Sequence, residues 1–234
     1  MKSLKSTAKS ITNGLSASKN LTEWQSLTDE QKKARIAQVN ARFAQSDTSK
    51  LQERIRLSGI PKKYQKAQLT PSTETLLGKL KTHEISGVLF QGKTGRGKTY
   101  ASCAMLMSHL QTDLGKFATM NDILNRVRAA YSSGESPDEI FGRYRGAKLL
   151  VIDDLGKENV SPDSIMRIFE LIDARINNEL PTIITTQFTN NELLQRYSNK
   201  INDREMASAI LSRLTEFMPI VFYGNDRRAR WMTE

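Results

Sequence analysis

The run Gly92-Lys93-Thr94-Gly95-Arg96-Gly97-Lys98-Thr99 fits the pattern G-x-x-x-x-G-K-[ST] in full. The chemistry such a run supports is phosphate binding. Glycines let the main chain curl until successive N–H groups point inward at phosphate oxygens. A helix starting behind the loop adds the partial positive charge of its N-terminus. Lys98 is then placed to reach the β- and γ-phosphates of a nucleotide, and the Thr99 hydroxyl to ligate Mg²⁺. Gly92 through Tyr100 are the expected nucleotide contacts. Lys93 and Arg96 either add positive potential to the loop or point to solvent, and neither is assigned a catalytic role.

A second group completes the site. Leu149-Leu150-Val151-Ile152-Asp153-Asp154 is an apolar strand ending in two acids, the Walker B form. Asp153 is expected to hold Mg²⁺, directly or through water. Asp154 is the candidate to orient or deprotonate the attacking water. It is one methylene shorter than Glu, so hydrolysis is expected to be slow. Glu158, in the loop beyond, is the alternative. No Cys/His cluster exists, since Cys103, His83 and His109 are scattered, so no metal other than Mg²⁺ is supported. Cys103, among small apolar residues of the helix after the loop, reads as a core residue.

These groups need a scaffold of alternating strands and helices. Gly87–Gln91 is a short apolar run that reads as a buried strand feeding the loop, and Tyr100–Leu110 as the helix behind it. Further strands are expected at 116–120, 148–153, 182–186 and 219–223. Helices are expected over 122–131, after the Ser136/Pro137/Glu139 cap, from Ser161-Pro162 onward, after Thr189/Glu192, and over 207–217. That alternation implies α/β architecture, a parallel five-stranded sheet covered by helices on both faces. Ahead of it lies a small helical region. Residues 1–20 are polar and read as disordered. Leu21, Trp24 and Leu27 suggest a short helix. Thr28 and Gln31 form a capping box before a stripe of Ile36, Val39 and Phe43. A separate helix is expected over 51–57, ending at Gly59 and Pro61.

With the motifs placed, the chain resembles the AAA+ helicase loaders of the DnaC/DnaI type, related to the IstB-like transposition ATPases. The matching pieces are SGIPKKYQKAQL (58–69), GKTGRGKT (92–99), LLVIDDLGKE (149–158), DARINNELPTIITTQFT (173–189), ILSRLTEF (210–217) and YGNDRRAR (223–230). The resemblance implies a P-loop NTPase fold over 58–234, ATP/ADP with Mg²⁺ as ligands, and a partner-binding region over 1–57. It implies that Gln187 takes the sensor 1 position, where the family usually has Asn. It implies that Arg213 is an arginine finger for a neighbouring subunit, against the plainer reading that it pairs with Glu216. Arg228 matches the sensor 2 arginine, with Arg227 beside it as the other candidate. Ile60 and Tyr64 either pack beside adenine or belong to the core.

The net charge of +10 is unevenly placed: residues 1–70 hold 14 Lys/Arg against 5 Asp/Glu. A basic arm favours a polyanion or an acidic protein surface, or simply keeps the chain soluble. No stretch of about 18 apolar residues exists for a membrane span, and the lone cysteine fits a reducing cytoplasm. The leading expectation is an ATP-dependent loader of a hexameric DnaB-type replicative helicase onto single-stranded DNA, working as an ATP-dependent homo-oligomer. The alternative within the same resemblance is an IstB-like, ATP-dependent DNA-binding regulator of a transposase. A third reading, ATP as a purely structural ligand, rests on the short Asp154 and on Gln187.

Overall fold

The computed structural model of the protein describes residues 27–226, apart from the side chains of residues 39 and 41–46. Residues 1–20, the suggested helix at Leu21 and Trp24, the side chains of Val39 and Phe43, and Arg227 and Arg228 lie outside the described residues. The chain divides into two compact units, Met1–Lys50 and Leu51–Glu234. No described helix is long and apolar enough to cross a membrane.

In the first unit the Thr28–Gln31 capping box forms as expected. Thr28 N donates to Gln31 Oε1 at 2.9 Å, and Gln31 N to Thr28 Oγ1 at 3.2 Å. The helix it opens, α1 (Asp29–Ser58), is continuous, where two helices were expected. The intervening Gln45–Ser49 stretch contains weak helix formers but no Gly or Pro. Each such residue costs only a few tenths of a kcal/mol, too little to break a helix extended from both sides. An i,i+3 ion pair between Lys50 and Asp47 spans part of the stretch.

The second unit is built on five parallel strands: β1 (Gly87–Gln91), β2 (Lys116–Thr119), β3 (Leu150–Leu155), β4 (Thr182–Thr186) and β5 (Met218–Val221), in the order β2-β3-β4-β1-β5. Alternate residues feed two cores. Val88, Phe90, Val151 and Ile183 face one side, with α2 (Pro71–Lys81) and α3 (Lys98–His109). Leu89, Ile152 and Ile184 face the other, with α4 (Met120–Ser133), α5 (Pro137–Arg145), α6 (Pro162–Asn177), α7 (Asn190–Ile201) and α8 (Arg204–Leu214). Coverage on both faces explains why β1 and the start of β3 read as continuous apolar runs. Cys103 is a core residue as expected; of the two readings left open for Ile60 and Tyr64, Ile60 is buried in the same core and Tyr64 packs partly buried against it.

Two differences have plain causes. Helix α2 was not expected, although Thr70 caps it and Pro71 opens it. Its reciprocal partner is Thr73 rather than the usual Glu or Gln. Strand β3 runs past the two acids to Leu155 instead of stopping at Asp153, because the β3–β4 ladder resumes beyond an irregularity at that point.

The strand order sets the site. β4 lies between β1, which ends in the glycine-rich loop, and β3, which carries the acids. At the opposite ends of the strands, the buried Arg175 guanidinium donates to the carbonyls of Tyr144, Arg145, Ala147 and Pro181 and to Thr182 Oγ1. Burial draws its pKa down to about 9, so it stays charged at neutral pH.

Candidate nucleotide site

The glycine-rich loop leaves β1 and turns into α3, as its composition requires. Gly92 and Gly95 have φ of 136° and 79°, conformations that L side chains avoid. Space excludes a side chain at Gly92 and is tight at Gly95. A Cβ on Gly92 would lie 2.5 Å from the Phe222 carbonyl oxygen, and one on Gly95 would collide with the Asp226 carboxyl group. Arg96 Nη1 donates to the same Phe222 oxygen at 3.0 Å, so its side chain holds the segment after β5 against the loop rather than pointing freely to solvent.

Lys98, the first residue of α3, is only 6% exposed. Its Nζ donates to the loop's own carbonyls, Gly92 O at 2.5 Å and Lys93 O at 3.0 Å. Burial pulls its pKa below the ordinary lysine value, against the opposing attraction of Asp154 and Asp153. Among the described residues it has no ion-pair partner. A buried ammonium held only by carbonyls, beside a curled loop and a helix N-terminus, fits a phosphate anion.

Thr99 Oγ1 donates to Asp153, 3.0 Å from Oδ1 and 3.2 Å from Oδ2. Thr185 Oγ1, from β4, donates to Asp153 Oδ1 at 2.6 Å. Asp153 is 5% exposed, and burial raises its pKa even though both hydroxyls work against that. A buried carboxylate with hydroxyl partners, and no ion pair among the described residues, fits a hard divalent cation such as Mg²⁺. Thr99 and Asp153 are the residues that would hold it.

Asp154 adopts φ 59° and pairs with Lys157 Nζ at 2.9 Å. Glu158 is committed elsewhere. It is 1% exposed, takes a hydrogen bond from Tyr197 Oη at 2.8 Å and another from Gly156 N at 2.9 Å, and burial raises its pKa. It ties the turn after β3 to α7 and is not available to a water at the acids. Gln187, just beyond β4, reaches the loop: Thr94 Oγ1 donates to Gln187 Oε1 at 3.0 Å. Tyr100 is exposed at the ring, and its hydroxyl accepts from Gln68 N at 3.2 Å, joining α3 to the segment that contains Ile60 and Tyr64.

The structure thus brings together the loop, Lys98, Thr99, Asp153, Asp154 and Gln187. It does not bring Arg213 to them. That residue sits on α8, with Nε 2.6 Å from Asp173 Oδ1 on α6 and Nη1 3.2 Å from Glu216 Oε1. Within one chain the pairing with Glu216 is therefore present, and Asp173 adds to it. Sequence reading missed Thr185, Lys157 and the contact of residues 222–226 with the loop. The adjacent threonines before Gln187 were a signal only that one of them must face the acids.

A family model described as IstB-like ATP binding protein matches residues 9–231. The chain is 25% identical over 150 residues to the replicative helicase loader DnaC of Escherichia coli (strain K12), covering 62% of this chain and 58% of that protein. It is also 25% identical over 135 residues to the insertion sequence IS232 putative ATP-binding protein of Bacillus thuringiensis subsp. berliner, covering 57% and 52%. The matches thus span little more than half the length of these relatives. A crystal structure of DnaI superposes with a TM-score of 0.56 at 17% identity, over 71% of this chain and 96% of that one, and shares its fold.

Proposed function

The chain belongs to the IstB-like ATP-binding protein family, and from that premise we propose that it is a magnesium-dependent ATPase that loads a hexameric DnaB-type helicase onto single-stranded DNA. The observation that carries the ATPase reading is the buried Lys98 ammonium, without a carboxylate partner among the described residues, beside the Thr99–Asp153 pair. ATP draws Lys98 Nζ from the carbonyls of Gly92 and Lys93 to its β- and γ-phosphates. Mg²⁺, when bound by Thr99 and Asp153, neutralises phosphate charge. Asp154 orients or deprotonates the attacking water once it leaves Lys157. Gln187 exchanges its contact with Thr94 for the γ-phosphate or the water. Arg213 exchanges Asp173 and Glu216 for the γ-phosphate of a neighbouring copy in an ATP-dependent homo-oligomer. Such an arginine can be worth about 10³–10⁵ in rate. Arg228 is the sensor 2 candidate.

The loader reading is supported by the likeness to DnaC and by the basic charge of residues 1–70. It places the protein in the cytoplasm, with residues 1–57 as the partner-binding region and 58–234 as the ATPase domain. Co-purification of the full chain with a DnaB-type helicase, with and without Mg·ATP, tests it. A complex that weakens when residues 1–50 are removed supports the loader. A truncation at that point keeps Leu51 and Ile55, which pack partly buried against the core. No association at micromolar concentration contradicts it. The family description and the IS232 relative favour a second reading, a DNA-binding regulator of a transposase. Binding to duplex DNA and a transposase, with no helicase association, would select it.

A further inference from the structure

We propose that Thr185 is a positioning residue that sets both acids of the site through a single hydroxyl. The β3–β4 ladder pairs Ile152 with Ile184 and next pairs Leu155 with Thr186. Three steps along β3 thus match two along β4, a bulge that leaves Thr185 alone opposite Asp153 and Asp154. Thr185 is fully buried. Its Oγ1 donates to Asp153 Oδ1 at 2.6 Å and accepts from Asp154 N at 3.0 Å. A hydroxyl carries one donor and can accept as well, so one atom serves both neighbours. The donated bond fixes the rotamer of Asp153. The accepted bond holds the left-handed backbone of Asp154, where φ is 59°.

Thr99, the other described donor to Asp153, is itself a candidate metal ligand. Thr185 therefore orients the carboxylate from outside the ligand set. Hydrogen-bond partners of this kind typically contribute about 10–100-fold to metal affinity. Bulges recur beside active sites because they re-aim side chains. Here the bulge gives two successive residues of one strand access to the same end of the sheet, and Thr185 fastens them there. The inference rests on the magnesium-nucleotide reading of this site.

The test measures ADP affinity of the full chain across a Mg²⁺ series and in EDTA, for wild type, Thr185→Val and Thr185→Ser. Val keeps the branched shape without the hydroxyl, and Ser keeps the hydroxyl. The expected result for Thr185→Val is about a 10–100-fold increase in the Mg²⁺ concentration for half-maximal tightening. Its affinity in EDTA should match wild type, and Thr185→Ser should lie within about threefold of wild type. A wild-type Mg²⁺ requirement in Thr185→Val overturns the inference. So does an equal loss for Val and Ser that persists in EDTA, which marks a packing role. A wild-type protein that binds ADP without any response to Mg²⁺ removes the underlying reading and the inference with it.

Discussion

Replacing Lys157 by glutamine should raise basal ATP turnover by up to about fivefold. Lys157 Nζ lies 2.9 Å from Asp154 Oδ1, and both side chains are 37% exposed. An ion pair this open to solvent contributes at most about 1 kcal/mol. Since about 1.4 kcal/mol corresponds to tenfold, releasing Asp154 multiplies its unpaired population by no more than about five. The assay is steady-state phosphate release at saturating Mg·ATP, with kcat and KM separated. With Asp154 in its proposed role at the attacking water, kcat should rise while KM holds, because Lys157 is paired with Asp154. The control is Asp154→Asn, alone and combined with Lys157→Gln. If Lys157 acts through Asp154, the double variant should turn over no faster than Asp154→Asn. A fall in kcat for Lys157→Gln, or an equal acceleration in the Asp154→Asn background, would refute the reasoning.

Two further outcomes concern stability. Tyr197→Phe removes the hydroxyl donated to the buried Glu158 and should cost about 1.5–3 kcal/mol near neutral pH, a fall of several degrees in Tm by thermal denaturation. Burial raises the Glu158 pKa, so the ionised form carries a penalty in the fold that is absent below the unfolded value and complete above the folded one. Losing Tyr197 Oη enlarges that penalty, so the Tm deficit should shrink as pH falls toward 4.5; a deficit that grows instead contradicts the assignment. Arg175→Met strips four main-chain carbonyls of a charged donor and should destabilise by at least about 3 kcal/mol. ADP affinity at low temperature should change less than twofold, because Arg175 lies at the far ends of the strands; a selective loss of ADP affinity would contradict this.

The phosphate loop was legible because its chemistry is local. Consecutive residues supply the curled backbone, the ammonium and the hydroxyl, and only the helix behind them is further required. The sheet was legible for a similar reason, since the apolar runs of β1 and β3 announce strands buried on both faces. What could not be read depends on register between distant segments. The bulge at Asp153 and Asp154 is a property of the β3–β4 ladder, so nothing in LLVIDD reveals that Asp154 turns left-handed or that Thr185 stands opposite it. The Asp173 partner of Arg213 is set by how α8 packs on α6. The burial of Glu158 depends on Tyr197, which lies in a different helix. Helix α2 was missed for a local reason, a capping box closed by threonine.

The most direct test of the central claim is calorimetric titration of the folded chain with ATP and ADP, in Mg²⁺ and in EDTA, for wild type and Lys98→Ala. Wild type should bind both nucleotides with an affinity that Mg²⁺ strengthens. Lys98→Ala should lose about 10–100-fold, the worth of charge-assisted bonds to phosphate, with its Tm preserved. A well-folded wild type showing no Mg²⁺-dependent affinity for either nucleotide would contradict the account.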